Sequence, residues 1–408
     1  MKTSLGHLTY CSNIHPGKDW DEDFKALQDN FPDIKQAVSP RQPMGLGLRL
    51  SHIASKALMS ADRLDAFKQW LEDNDAYVFT MNGFPYGDFH RTVVKAEVHS
   101  PDWTTDERRD YTIRLFHILR ELLPEGMDGG ISTSPLSYRH WFNEGTSLAE
   151  AKTRATRNIL EVVKELIRIE RQTSICMHLD VEPEPDGILE TGREFIDWFE
   201  QYLLRLGVTE VTNSFDVDAA EAERLIKRHV CLCYDVCHFA IGYENHQEVL
   251  DELKSKGIQV GKIQISAALQ AQFDVAGRAQ IKKDFERFNE PTYLHQVVAL
   301  TSTGERLRYP DLPEALEDFD NPEVCQWRAH FHIPIAVKDF SSLQSTQEDI
   351  VALLKLQHEQ PFTLHLEVET YTWEILPEQL KLPIAESISQ ELNWVVDQLD
   401  QFTKKSSA

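Results

Sequence analysis

The sequence predicts an α/β protein built as a (β/α)8 barrel. Three observations predict it: eight short apolar runs, amphipathic stretches between them, and carboxylates standing where several runs end. The runs are HLTYCSN (7–13), GLGLRLSH (45–52), AYVFTMN (76–82), GGISTSP (129–135), SICMHLDVEP (174–183), HVCLCYDV (229–236), VGKIQIS (260–266) and PFTLHLEVE (361–369). None alternates apolar and polar residues along its whole length, as suits strands covered on both faces. Eight strands alternating with helices close into a barrel.

The intervening helices have readable ends. Thr104 with Glu107, Ser147 with Glu150, and Thr191 with Glu194 each fit a capping box, in which a hydroxyl and a carboxyl satisfy free helix N–H groups. Gly207 and Gly257 stand where a left-handed residue would end a helix. Phe195, Trp198, Phe199, Tyr202 and Leu203 share one helical face. Between the seventh and eighth strands the alternation breaks. Two more extended runs, TYLHQVVAL (292–300) and HFHIPIAV (330–337), are joined by a proline-marked loop. They read as an insertion over about residues 270–340 that covers the barrel mouth. A ninth and tenth strand of a larger sheet is the other arrangement the pattern permits. Residues 1–400 then form a single barrel domain, and 401–408 a frayed tail.

Composition narrows the function. The chain has 408 residues, 41% of them hydrophobic, enough for a large core that one barrel can absorb. Its net charge is −24, with 42 basic against 66 acidic residues and no basic run. Nucleic-acid binding needs phosphates neutralised by Lys and Arg, so such a partner is disfavoured. No run of ~18 apolar residues offers membrane insertion. The start, MKTSLGHLTYCSN, has too short an apolar segment for a signal peptide. Six cysteines are too sparse for a disulfide scaffold, and Cys176, Cys231 and Cys233 lie inside apolar runs as small buried hydrophobes. The expected setting is a reduced cytoplasm, and the expected partner a small-molecule metabolite.

Barrel active sites form at the C-terminal ends of strands. Two strands close on the same pattern, His178-Leu179-Asp180-Val181-Glu182 and His365-Leu366-Glu367-Val368-Glu369. Period two puts His178, Asp180 and Glu182 on one face, and His365, Glu367 and Glu369 likewise. A carboxylate facing a barrel interior is costly unless paired, hydrogen-bonded or metal-bound. Glu182, Asp235 and Glu369 come from three strands to one mouth, which favours a shared divalent cation: Mg²⁺, Mn²⁺ or Zn²⁺. Gln264 offers an amide oxygen, or is an ordinary backbone-bonding polar residue. His238, three residues past Asp235, would face the substrate. Cys237 could join His238 on zinc, but no CxxC pair supports a zinc knuckle. Nor is any base assignable to a nucleophilic thiol.

In this order, Glu182-Pro183, Asp235-x-x-His238, Gln264 and Glu369-Thr370 resemble the xylose-isomerase-like TIM barrels. That superfamily holds sugar isomerases, epimerases and multi-zinc apurinic endonucleases. Its strand-seven ligand is usually His; Gln264 resembles the hydroxypyruvate isomerase variant and tilts the expected cofactor toward Mn²⁺ or Mg²⁺, with Zn²⁺ third. Across nearly the whole chain, TYCSNIHPGKDW (9–20), MNGFPYGDFH (81–90), HLDVEPEP (178–185), YLHQVV (293–298) and HLEVETYTW (365–373) resemble the EboE metabolite traffic proteins. The resemblance implies a metal-dependent isomerase or epimerase-like protein handling a small hydroxy-carbonyl or related biosynthetic intermediate. Other proteins of the same gene cluster are then candidate partners.

In that reading Glu182, Asp235, Gln264 and Glu369 hold the metal. Glu182 and Glu369 also move protons, and His238 binds a substrate hydroxyl. Glu367 is a rival to Glu369, and Glu184 a weaker rival to Glu182. Asn13 and His15 follow the first strand, and Asn82 opens an aromatic, Gly-containing loop. Asn82, His99, His178, His295 and His332 are the expected substrate contacts. The pair His330-x-His332 is either a counterpart of the endonucleases' Asp-x-His zinc ligands or a structural pair. The rival functions are a non-catalytic carrier for a pathway precursor and an endonuclease-like metal phosphoesterase.

Overall fold

A computed structural model describes residues 1–90, 93–142, 146–273, 277–376 and 381–406. Strand β1 (Lys2–Thr3) folds back antiparallel on β2 (Gly6–Tyr10). The chain then lays down β3 (Met44–Arg49), β4 (Ala76–Asn82), β5 (Gly129–Thr133), β6 (Met177–Val181), β7 (Val230–Asp235) and β8 (Val260–Ile265). It departs to form β9 (Leu269–Gln272), β10 (Val297–Thr301), β11 (Arg306–Tyr309), β12 (Val324–Ala329), β13 (Asp339–Phe340) and β14 (Leu343–Ser345). It returns as β15 (His365–Val368).

All eight expected strands form, as β2 to β8 and β15, and they are parallel in the order β2-β15-β8-β7-β6-β5-β4-β3. A parallel bridge between Cys11 and Gly47 closes the ring. Thr9 reinforces it: its Oγ1 donates to Gly45 O at 2.8 Å and accepts from Gly47 N–H at 2.9 Å. Gly47 is needed at the seam, because a Cβ there would meet Glu367 Oε1 at 2.0 Å and Tyr10 O at 2.7 Å.

The chain between β8 and β15 makes a second, antiparallel sheet in the order β11-β10-β12-β9-β14-β13. Among the described residues its strands pair only with one another, so this segment adds no strand to the barrel sheet. Residues 274–276 of the expected insertion lie outside the described residues. The expected extended run 330–337 is not a strand; β12 ends at Ala329. Pro334 has no N–H for a ladder. His330, Phe331, His332 and Ile333 are all buried, which a two-faced edge strand would not allow.

Helix starts are partly displaced from expectation. Thr191 caps its helix, accepting from Glu194 N–H at 3.1 Å. Thr105 rather than Thr104 caps Asp106–Leu122, because the Thr104 hydroxyl is spent on Asp102 at 2.6 Å. Ser147 lies inside the helix Thr146–Thr173. Gly257 ends its helix at φ 63°, as expected. Gly207 sits within Arg205–Phe215 instead. A Cβ there would come 2.6 Å from Leu160 Cδ2, so this glycine serves close helix packing. The last helix, Ile384–Ser406, runs on through the segment expected to fray, and 407–408 lie outside the described residues. Among the described residues, no helix is long and apolar enough to cross a membrane. All six cysteines are free; Cys231 and Cys233 are buried, Cys176 only partly.

Candidate metal centre at the barrel mouth

Asp235 ends β7 and caps the short helix Val236–Ile241. Its Oδ1 accepts from His238 N–H at 3.1 Å and from Ser266 Oγ at 2.7 Å. The three-residue spacing therefore has a mechanical cause: the cap places His238 one turn above Asp235, on the rim. The His238 ring is then fixed by Nδ1, which donates to Pro183 O at 3.0 Å.

Two more rings meet it from the second sheet's side. His330 Nδ1 donates to Gln296 Oε1 at 2.8 Å, and Gln296 is oriented by its own Nε2 donating to Pro185 O at 3.1 Å. His332 Nδ1 donates to Glu369 O at 3.1 Å. Carbonyl oxygens only accept, so each Nδ1 carries the proton and each Nε2 a lone pair. Those lone pairs converge: His238 Nε2 lies 3.1 Å from His330 Nε2 and 3.4 Å from His332 Nε2. Burial lowers the proton affinity of all three rings, His332 to about 4, so they are neutral near pH 7. Three facing lone pairs repel unless a cation lies between them. Zinc–imidazole bonds of ~2.0–2.1 Å in a tetrahedron put neighbouring nitrogens about 3.4 Å apart. Cys237 Sγ also lies within 4.8 Å of ring nitrogens of His330 and His332, but burial pushes its thiol up, and it donates to Phe331 O at 3.3 Å. Its expected partnership with His238 is thus replaced by proximity to the other two rings.

The carboxylates stand on the other side of His238. Glu182 Oε1 lies 3.5 Å from His238 Nδ1, while its Oε2 is buried without a partner. Asp235 Oδ2 is likewise buried and unpartnered. Glu369 Oε1 accepts from Asn13 Nδ2 at 2.8 Å and Asn82 Nδ2 at 2.7 Å, and its Oε2 is 3.6 Å from His332 Nδ1. Burial first, then the charges of Glu369, Asp235 and Glu184, raise the Glu182 carboxyl well above the usual range. Burial, then Asp235 and Glu367, do the same to Glu369. Orphaned oxygens and raised carboxyls beside neutral imidazoles are what a cation site shows without its ion.

A small pocket of about 50 Å³ opens over this cluster. Glu182, Glu369, His238, Asn82, His99 and His332 all line it, and Asp235 lies directly beneath His238. Three expected site residues are not brought there. Gln264 is buried with Oε1 accepting from the Cys233 thiol at 2.6 Å, so the amide oxygen proposed for metal is engaged. His178 shares the parity of Glu182 but sits four residues, or about 13 Å, further down the strand. Its Nδ1 pairs with Asp180 Oδ1 at 2.5 Å. His295 braces the loop, with Nδ1 to His330 O and Nε2 to Glu290 Oε1, both at 2.8 Å, and its ring stacked on Phe331. Glu367 is removed as a rival by its 2.6 Å ion pair with Lys262. His15 bonds Tyr10 OH at 3.2 Å and does not line the pocket. The wall residues Tyr293, Tyr371 and Gln296 carried no sequence signal of their own beyond the family-like segments that contain them.

No protein-family model matches the sequence, and no curated protein matches it. Solved structures do. A xylose isomerase-like TIM barrel protein from Mycobacterium smegmatis in complex with magnesium aligns at TM-score 0.50 and 11% identity, covering 98% of this chain and 99% of that one. The IolI protein with a bound zinc atom aligns at 0.48 and 12%, over 97% and 99%. A D-tagatose 3-epimerase-like protein aligns at 0.48 and 10%, over 98% and 99%. The first likeness shows the fold, a TIM barrel.

Proposed function

We propose that the chain is a metal-dependent isomerase or epimerase-type protein acting on a small, unphosphorylated hydroxy-carbonyl metabolite, in the setting of metabolite traffic that its EboE-like segments suggest. The observation that carries this reading is the meeting of three imidazole lone pairs with two proton-hungry carboxyls, Glu182 and Glu369, in one pocket. Imidazole donors suit zinc at His238, His330 and His332, whereas Glu182, Asp235 and Glu369 suit Mn²⁺ or Mg²⁺. When bound, the ion supplies Lewis-acid polarisation of adjacent substrate oxygens.

The chain's own residues do the proton work. Glu182 and Glu369 titrate as an interacting set, so near neutrality one can hold a proton while the other accepts one. Asn13 and Asn82 fix Glu369 Oε1, leaving Oε2 to exchange a proton with substrate carbon or oxygen. Phe84, Phe89, Val98, Tyr293 and Tyr371 form an apolar wall that excludes water. Lys95 is the one Lys or Arg among the described lining residues, and Asp311 pairs with it, so among those residues no cation stands ready for a phosphate.

The test is carbon-bound hydrogen exchange in D₂O, followed by NMR on a panel of ketoses and hydroxy-ketones with the metal-loaded full chain. The wild type is expected to incorporate deuterium beside the carbonyl. Glu182→Gln and Glu369→Gln are each expected to slow it by ~10²–10⁴-fold. Saturable binding with no exchange by the wild type would sink the catalytic reading and leave a carrier.

A further inference from the structure

The paired pattern His-x-Asp/Glu-x-Glu has a lower half that the mouth does not use. His178, second residue of β6, and His365, first of β15, stand at the N-terminal end of the barrel interior, with ring centroids 5.2 Å apart. Asp128, immediately before β5, reaches under both. Its Oδ1 lies 3.4 Å from His365 Nε2 and its Oδ2 3.8 Å from His178 Nε2. One oxygen from the residue before β5 and two ring nitrogens from β6 and β15 lie within 4.8 Å of one another.

We propose that Asp128, His178 and His365 form a second, structural zinc site at the foot of the barrel. Three features support a metal. First, His178 Nδ1 is committed to Asp180 Oδ1 at 2.5 Å, which turns Nε2 toward Asp128; a carboxylate behind an imidazole is the usual support of a zinc-bound histidine. Second, the space is cut for this unit. A Cβ at Gly261 would lie 1.8 Å from Asp180 Oδ1, and one at Gly130 would lie 2.5 Å from both Asp180 Oδ2 and His178 Cε1. Third, the donors already face one another, His365 Nε2 meeting Asp128 Oδ1 at 3.4 Å and His178 Nε2 meeting Asp128 Oδ2 at 3.8 Å, spacings that one ion can bridge. Asp128 is 44% exposed, so an ion has a way in from solvent. Two nitrogens and an oxygen are a donor set that zinc accepts. The ion would staple β5, β6 and β15, and a foot-of-barrel position fits a stabilising rather than a catalytic role.

The experiment is zinc stoichiometry by elemental analysis on the full chain, equilibrated with zinc and freed of excess. Asp128→Ala is chosen because the side chain is half exposed and its loss does not empty the core. His365→Gln is the second variant, with folding checked by circular dichroism. Each is expected to lose one zinc per chain relative to wild type, and to lose the part of the thermal midpoint that wild type loses to a chelator. His332→Ala should keep this zinc while disturbing the mouth, so the two sites fail independently. Equal zinc in wild type and Asp128→Ala overturns the proposal. So does a wild type that binds zinc only through His332; His178 would then be an imidazolium clamped between Asp128 and Asp180.

Discussion

Lys262 and Glu367 are both fully buried and lie 2.6 Å apart, one layer below the pocket. Lys262 Nζ also donates to Met81 O at 3.3 Å. Breaking such a pair leaves an uncompensated charge in the core, which costs about 3–5 kcal/mol. Lys262→Met is therefore expected to lower the unfolding free energy by about that amount in urea titration, and Lys262→Met with Glu367→Gln to recover most of it. The pair also decides which carboxylate of HLEVE meets the pocket. Alternation alone puts Glu367 and Glu369 on one face and cannot choose. The choice needs the register of β15 on β8, where Glu367 stands beside Gln264 and within reach of Lys262. Glu182 and Asp235 were legible because each ends a strand with a polar side chain of the right parity. Gln264 has the same credentials, and parity could not choose between a metal-facing amide oxygen and an ordinary polar residue; in the fold the neighbouring Cys233 thiol donates to that oxygen.

At the level of elements, periodicity served strands better than it served connections. Every barrel strand was readable as an apolar run, since strands covered on both faces need little else. The run at 330–337 looked the same but is an irregular buried segment, because the ladder has already ended at Ala329 and Pro334 offers no N–H to resume it. What holds that segment was invisible locally. Glu391, on the last helix, accepts from Ile335 N–H at 2.9 Å and from Thr370 Oγ1 at 2.8 Å. It joins the helix to both the histidine segment and the end of β15. Burial raises its carboxyl to about 7. The folded state then binds a proton between pH 4.5 and about 7 that the unfolded chain has released. Stability from this group falls as pH rises through that window, by about 3 kcal/mol in all, and is flat above it. Glu391→Gln keeps both hydrogen bonds. It is expected to match wild type near pH 4.5 and to exceed it at pH 8, as read by urea unfolding at the two pH values. An equal difference at both would mean that Glu391 does not carry the proton.

Across the whole molecule, the mouth cluster depends on two sheets that the sequence presents far apart. His238 rises from β7, while His330 and His332 follow β12 of the second sheet. Their meeting over a separation of 92 residues could be offered from the sequence only as one reading of His330-x-His332. Each Nδ1 is tied to an oxygen from yet another segment, so the direction of the lone pairs is a tertiary property. The fold was open to a reader of the chain, and the three carboxylates and the histidines could be named one by one; the convergence of the ring nitrogens of His238, His330 and His332 could not. The most direct measurement is an anomalous-difference map at the zinc edge from crystals of the zinc-equilibrated protein. A peak within bonding distance of the Nε2 atoms of His238, His330 and His332 is expected. A map with no peak there, while the three rings keep their positions, would contradict a cation at the mouth.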